Sequence, residues 1–162
     1  MDKLKIKNVI ISKQGETSGN YKEFIELVKK HKINFIFVQA GDLIEIDKTS
    51  YFQILWPTEQ QIKQNILNNN SIVAKFVYGS NSILFTGDIE EIAEKQIISK
   101  YKNTNILKST ILKVAHHGSK SSSIQQFITV VQPKIALIGV GATNTFGHPN
   151  SAVLIRLQEQ RY

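Results

Sequence analysis

Hydrophobic and polar positions along this chain follow two periods, one typical of strands and one typical of helices. Alternating or short unbroken apolar runs predict strands at 5–12, 34–38, 43–46, 51–55, 72–78, 82–86, 110–115 and 134–140. Turn residues at 41–42 and 79–81 separate some of these strands, and the second turn predicts a hairpin. The dipeptide Trp56-Pro57 ends the strand that precedes it.

Helical spacing of apolar residues predicts the elements that alternate with these strands. The predicted helices are 21–30 after a Ser/Gly-rich loop at 12–20, then 88–99, a helix from loop 116–123 to about 131, one from 151, and one turn within 58–70. Glu90, Glu91 and Glu94 lie in the first turns of 88–99, where the helix dipole favours acidic side chains. His31 lies at a Lys-rich helix end and is predicted only to interact with the dipole of that helix.

This alternation predicts an α/β fold in which helices cover a mixed sheet. The 162 residues suffice for one domain, and no internal repeat, linker or low-complexity block divides them. The longest apolar run, 135–142, is far shorter than a membrane span, and no signal peptide is recognisable. The default expectation is therefore a cytoplasmic chain without a transmembrane segment.

Composition narrows the possible chemistry. The chain has no Cys, which excludes a disulfide scaffold, a thiol nucleophile and any Cys-ligated zinc site. A metal ion would need His, Asp and Glu as ligands. The net charge of +7 is uneven: residues 1–94 carry 11 basic and 12 acidic side chains, whereas residues 95–158 carry eight basic and no acidic ones. This second half favours an anionic partner such as a phosphodiester, or it is simply a Lys-rich solvated surface.

Three loops follow apolar strands, the position where α/β proteins place their chemistry. In the first, Asp88 follows Gly87 and is either a ligand or the N-cap of the next helix. The second contains His116 and His117. Adjacent histidines at a strand exit point in opposite directions, so one can bind a metal while the other faces substrate. The serines that follow, Ser122 and Ser123, are candidate caps for the next helix.

The third loop contains His148 between glycine and proline. Gly147 allows a close approach of the backbone, and Pro149 is predicted as an early residue of the last helix. Three of the four histidines therefore lie in two neighbouring strand-end loops. Such clustering favours a functional site over isolated surface histidines.

The order of these motifs resembles a known superfamily. The segment FTGD, then KVAHHGSKSSS, PKIALIGVG, Asn144 and FGHPN are similar to the metallo-β-lactamase superfamily. Within it, the chain resembles the hydrolase domain at the C-terminus of competence DNA-uptake channel proteins, the ComEC family. The resemblance covers nearly the whole chain. It implies a four-layered αββα sandwich with one or two ions, Zn²⁺ or Mn²⁺, at the sheet edges, and phosphodiesterase or nuclease-type hydrolysis.

The resemblance also implies roles for particular residues. Asp88 and His116 correspond to metal ligands, and His117 is the less favoured ligand of the histidine pair. Ser119, Lys120 and Asn144 fall on the substrate or phosphate side. His117 and His148 are the candidates for acid–base catalysis.

The superfamily's main ligand motif, HxHxDH, has no counterpart in residues 1–70, where His31 is the only histidine. The chain is therefore interpreted as a single partial domain, 1–162, incomplete at its N-terminus. Two protein ligands are fewer than the three of a catalytic zinc site, so weak or absent metal binding is expected for the chain alone. An N-terminal segment, a partner chain or a dimer is expected to cover the sheet. The alternative function is a non-catalytic module that binds nucleic acid or protein.

Overall fold

A computed structural model describes residues 5–13 and 18–160 of the chain. In this part, the strands are β1 Asn8–Ile11, β2 Asn34–Phe37, β3 Leu43–Glu45, β4 Ser50–Trp56, β5 Val73–Tyr78, β6 Asn81–Phe85, β7 Ile111–Lys113 and β8 Ile135–Leu137. The helices are α1 Gly19–Lys30, α2 Ile66–Asn69, α3 Glu91–Tyr101, α4 Gln125–Val131 and α5 Ser151–Glu159. Each predicted strand and helix has a counterpart, with shifted ends. The predicted loop 12–20 lies partly outside the described residues.

Several boundaries differ from the sequence prediction for local reasons. Asn81 pairs with Tyr78, so the hairpin turn is shorter than predicted and consists of residues 79–80. The single turn predicted around Ile62 and Ile66 is α2, which begins at Ile66. Ile62 lies outside that helix, where its backbone N–H and carbonyl both bond to the buried Asn70 amide. A side chain distant by eight residues therefore replaces the helical hydrogen bonds that periodicity alone predicted.

Two sheets organise the protein as a mixed α/β fold. Strands β1 and β2 are parallel and are joined through α1. The other six strands form one sheet in sequence order, β3 to β8. The pairs β3–β4, β4–β5 and β5–β6 are antiparallel, whereas the pairs β6–β7 and β7–β8 are parallel. The parallel part is connected through α3 and α4, so its three strands end at the same edge.

One face of the larger sheet carries the main core. Leu84 and Leu112 lie side by side in register on β6 and β7, and both are buried in a cluster with Trp56, Ile97 and Phe127. These partners come from β4, α3 and α4, which accounts for how the helices are held against the sheet. Apolar burial of this kind contributes roughly 1.5–3 kcal/mol for each large side chain.

The opposite face of the same sheet is only partly covered within the described residues. A smaller cluster centred on Val38, Ile54 and Ala74 packs there. Toward β8, Phe85 is 38% exposed and Leu137, in the same register row, is 51% exposed. This is the exposed apolar sheet surface expected from the sequence, and such surfaces mark interaction sites. None of the described helices is long and apolar enough to cross a membrane.

Candidate functional site

The parallel strands β6, β7 and β8 bring three loops to one edge of the sheet. The backbone N–H of His116 donates to the carbonyl of Gly87 at 3.1 Å, which joins the second loop to the first. The backbone N–H of Asn150 donates to the carbonyl of Gly118 at 2.8 Å, which joins the third loop to the second. The polar residues that follow three separate strands therefore lie at one edge.

Gly87 shapes the first loop. Its φ is +54°, and a Cβ at this position would lie 2.6 Å from the Cβ of Ser71. Ser71 also accepts the backbone N–H of Asp88 through its hydroxyl at 3.3 Å. Helix α3 begins only at Glu91, with Glu90 at its N-cap, so the prediction of Asp88 as N-cap is wrong. The Asp88 carboxylate is thus left to take part in the site.

The second loop is a strained turn that carries both histidines. His116 has φ 46° and ψ 44°, and His117 has φ 53° and ψ 23°. Left-handed conformations of non-glycine residues are uncommon, cost roughly 1–3 kcal/mol each and cluster at functional sites. Gly118 follows with φ +79°, and a Cβ there would lie 2.7 Å from the Cβ of Pro149. The close approach of the third loop explains this glycine.

Asn144 braces the third loop. Its side-chain amide donates to the carbonyls of Gly141 and His148, and its oxygen accepts the backbone N–H of His148 at 3.1 Å. The ring of His148 stacks on Phe146, with 6.0 Å between ring centroids. Helix α5 begins at Ser151 with Asn150 as N-cap, so Pro149 precedes the helix and its predicted helical position is wrong. The loop thus holds His148 by contacts on both sides.

Asp88 and His117 face each other across the first two loops. The Nδ1 atom of His117 lies 2.6 Å from the carbonyl oxygen of Gly139, and a carbonyl can only accept, so Nδ1 carries the proton. The other ring nitrogen, Nε2, lies 3.7 Å from Oδ1 of Asp88. In the neutral ring, Nε2 is then an acceptor that faces another acceptor. A cation between the two atoms removes that repulsion.

His116 has a different carboxylate partner, which the sequence analysis did not place at the site. Its Nδ1 atom lies 3.5 Å from Oε1 of Glu90. Nδ1 is buried and lacks a partner with hydrogen-bond geometry, so this contact is a facing pair at the limit of hydrogen-bond length. The ring of His116 also lies edge-on to His148, with 5.8 Å between centroids. The structure brings His116 together with Glu90 and His148, and Asp88 together with His117.

Polar side chains hold the Glu90 carboxylate in place. Its Oε2 atom accepts from the amide of Asn65 at 2.6 Å and more weakly from that of Asn69 at 3.4 Å. Its Oε1 atom accepts from the hydroxyl of Ser121 at 3.0 Å. Burial raises the pKa of Glu90, but these hydrogen bonds and nearby His116 outweigh it, so the net pKa is lowered from its ordinary value. Glu90 therefore has the properties of a fixed negative charge behind His116.

The Asn-rich segment before β5 hydrogen-bonds to Glu90. The sequence analysis described this segment only as polar, with one helical turn. Asn69 is buried, and its side-chain oxygen accepts the backbone N–H of Glu90 at 3.0 Å. Its own carbonyl accepts the indole N–H of Trp56 at 2.6 Å. A buried asparagine with every contact satisfied is a supporting residue. Its signal in the sequence was a run of three consecutive asparagines, 68–70, shortly before an apolar strand.

The predicted substrate residues occupy different environments. Lys120 is exposed and follows His117 by three residues in the chain. Ser119 is buried, and its hydroxyl hydrogen-bonds to that of Ser121 at 3.1 Å. The predicted capping role of Ser122 and Ser123 is wrong, because the N-cap of α4 is Ile124 and makes no side-chain cap bond. Ser122 instead donates to the carbonyls of residues 115 and 119.

Glu94 of α3, and not Ser122 or Ser123, accepts the free backbone N–H groups at the start of α4. Its buried carboxylate accepts the backbone N–H of Ser123 at 2.6 Å and that of Ile124 at 2.8 Å. Burial raises the pKa of Glu94 to about 7, against the effect of these two donors and of Arg156. The carboxylate therefore ties α3 to the end of the histidine loop.

The donor set fits a metal ion only as part of a site. Asp88 and His117 present two facing acceptors, and His116 presents a further ring. Among residues 5–13 and 18–160, however, no three His, Asp or Glu side chains are grouped so as to hold an ion. Catalytic zinc has three protein ligands. These loops can therefore contribute ligands, but within the described chain they do not complete a centre.

Comparison with known proteins gives relatives for nearly the whole chain. It is 32% identical to ComE operon protein 3 of Bacillus subtilis over 95% of its own length, which is 19% of that protein. It is 35% identical to competence protein ComA of Neisseria gonorrhoeae over 66% of the chain and 15% of that protein. It is 34% identical to recombination protein 2 of Haemophilus influenzae over 68% of the chain and 13% of that protein.

The names of these relatives support the assignment of the chain to a competence-related family. The chain spans less than a fifth of the length of each of these three proteins. No family model matches the chain. The similarity therefore supports the relation to competence proteins that the sequence resemblance implied. It does not show a reaction, so any activity of the three loops has to be argued from their geometry.

Proposed function

We propose that this chain forms part of a metal-dependent hydrolase site of the metallo-β-lactamase type, acting on phosphodiesters such as DNA in a competence-related protein. The observation that carries the proposal is the pair of acceptors formed by Asp88 and His117, 3.7 Å apart on two strand-end loops. The strained backbone of the histidine turn supports it, because such strain persists where the surrounding structure enforces a geometry.

The proposed ligands are Asp88 and His116, as the resemblance implies, together with His117, the ring that lies nearest to the Asp88 carboxylate. When bound, a Zn²⁺ or Mn²⁺ ion supplies Lewis-acid stabilisation of charge on a phosphoryl oxygen and lowers the pKa of an attacking water. Further ligands come from another segment, a partner chain or a second copy. The αββα arrangement follows from the same proposal, since a second sheet would cover the apolar face around Phe85 and Leu137.

The residues around the proposed ligands would bind and orient the phosphodiester. Lys120, exposed and three residues after His117 in the chain, is the proposed positive charge for the phosphate. His148, held by Asn144 and stacked on Phe146, is a candidate for proton transfer. General acid–base catalysis contributes about 10²–10⁴-fold, which is small compared with the acceleration that phosphodiester hydrolysis requires. We therefore expect no appreciable hydrolysis by these side chains alone.

The test combines metal analysis with a hydrolysis assay. The purified chain is given Mn²⁺ or Zn²⁺ and a phosphodiester reporter, alone and with a supplied N-terminal segment that carries HxHxDH. Asp88→Ala should abolish activity in the completed system. Glu91→Ala is the matched control, because Glu91 is an exposed carboxylate on the same chain segment that pairs with Lys95. Activity that survives Asp88→Ala would overturn the proposal.

A second candidate function is a non-catalytic module that binds nucleic acid. The acid-free stretch 95–158 favours it, as does the finding that no three His, Asp or Glu side chains of the described residues are grouped so as to hold an ion. This candidate predicts DNA binding that needs no metal, weakens with salt and is unchanged by Asp88→Ala. Failure of hydrolysis in the completed system together with such binding would decide for this alternative.

A further inference from the structure

We propose that Glu90 is a positioning residue that fixes the ring of His116 in the Nδ1–H tautomer, leaving Nε2 as the nitrogen that binds at the site. The proposal deepens the proposed function and rests on it for the identity of what Nε2 binds. Its structural part concerns only the two side chains and can be tested without any ligand.

The environment of Nδ1 decides which nitrogen carries the proton. Nδ1 of His116 is buried and faces Oε1 of Glu90 at 3.5 Å. An unprotonated Nδ1 would present a lone pair to a carboxylate in a buried site, which is unfavourable. A protonated Nδ1 places its N–H close to that negative charge, at 3.5 Å and short of ideal hydrogen-bond geometry, which is the more favourable arrangement. Because Nδ1 is buried, a ligand from solvent cannot reach that nitrogen, which leaves Nε2.

The carboxylate itself is held independently of His116. The amides of Asn65 and Asn69 donate to Oε2, while the hydroxyl of Ser121 donates to Oε1. The Glu90 backbone N–H is held by the Asn69 side chain. Histidines that bind metals generally present their second nitrogen to a carboxylate or carbonyl, which fixes tautomer and ring orientation. Glu90 and the asparagines provide such an arrangement for His116.

The same contacts make Glu90→Gln a sharp test. Two amide donors lie at the Oε2 position, so the glutamine oxygen should take that place and its NH₂ group the Oε1 position. That NH₂ group would then donate toward Nδ1 of His116. We expect the tautomer to change from Nδ1–H in the wild type to Nε2–H in the variant. Glu91→Gln removes the same charge one residue away and should leave the tautomer unchanged.

The experiment is long-range ¹H–¹⁵N NMR of the histidine side chains on chelator-treated full chain. It is recorded at about pH 8.5, above the ordinary histidine pKa of ~6.5, so that the neutral ring is observed. A wild-type His116 with a protonated Nε2 would overturn the proposal, whether or not the variant folds. An unchanged tautomer in folded Glu90→Gln would also overturn it.

A second measurement separates this proposal from the proposed function. Mn²⁺ binding is titrated in wild type, Glu90→Gln and Glu91→Gln, each with the HxHxDH segment supplied. Loss of such a supporting contact should weaken binding roughly 10–100-fold in Glu90→Gln only. A wild type that binds no ion would refute the proposed function, whereas the tautomer result would still decide the role of Glu90.

Discussion

The buried carboxylate of Glu94 predicts an unusual dependence of stability on pH. Its folded-state pKa is about 7 against an ordinary value of 4.5, and burial is the main cause. Between these two values the native state holds a proton that the unfolded chain has released. Stability is therefore greatest below about pH 4.5 as far as this group is concerned, and it is lost as the pH rises through 7. Two and a half pKa units correspond to roughly 3 kcal/mol.

The substitution Glu94→Gln removes this titration while keeping the shape of the side chain. The free energy of unfolding is measured by urea denaturation, followed by far-UV circular dichroism, at a series of pH values from 5 to 8. We expect wild type to lose about 2.5 kcal/mol relative to Glu94→Gln over that range, since part of the total is already lost at pH 5. Glu91→Gln, at an exposed carboxylate, should parallel wild type. The reasoning is refuted if wild type gains stability relative to Glu94→Gln as the pH rises, because the N–H groups of Ser123 and Ile124 would then outweigh burial.

Three further predictions concern the loops. Gly118→Ala should destabilise the protein by more than about 1 kcal/mol, since a Cβ would meet Pro149, whereas Gly79→Ala, with open space, should cost less; equal costs by thermal unfolding would contradict the packing argument. Phe146→Ala, at a side chain 81% exposed, should leave stability within about 0.5 kcal/mol but weaken single-stranded DNA binding through lost base stacking; unchanged affinity would exclude stacking there. Lys120→Gln should reduce the slope of log affinity for DNA against log salt concentration by the contribution of about one phosphate contact, whereas Lys48→Gln, in the other half of the chain, should leave this slope unchanged. An unchanged slope in Lys120→Gln would place the DNA elsewhere.

Much of the fold could be predicted because the periodic patterns are local. The runs that became β5 and β6, and the strands that lead to the two histidine loops, are apolar segments bounded by turn residues. The loops with Asp88, His116 and His148 were each predicted to follow an apolar strand, and the parallel strands β6, β7 and β8 bring these loops to one edge of the sheet. Capping was less predictable. The start of α4 is capped by Glu94, thirty residues away in sequence, and a local sequence pattern cannot predict such a contact.

The details of the site were predictable only in part. Two adjacent histidines on a strand would point in opposite directions, but His116 and His117 lie in a left-handed turn, which the alternation of a strand does not describe. Glu90 was interpreted as a helix-dipole residue because it lies in the first turns of the predicted helix 88–99. Its contact with His116 depends on two long-range asparagine hydrogen bonds. Asp88 and His116 could thus be proposed as ligands from sequence, and they stay a prediction, whereas the side chains that contact them could not be predicted.

The location of metal binding tests the central claim most directly. Mn²⁺ broadens NMR signals of nearby nuclei, so a titration of ¹⁵N-labelled chain, with the HxHxDH segment supplied, maps the site by residue. The account predicts that signals of Asp88, His116 and His117 disappear first, while those of the β5–β6 turn at 79–80 persist. It also predicts that Asp88→Ala removes this selectivity. Selective broadening elsewhere on the chain, or none at Asp88 and the histidine turn, would contradict the account.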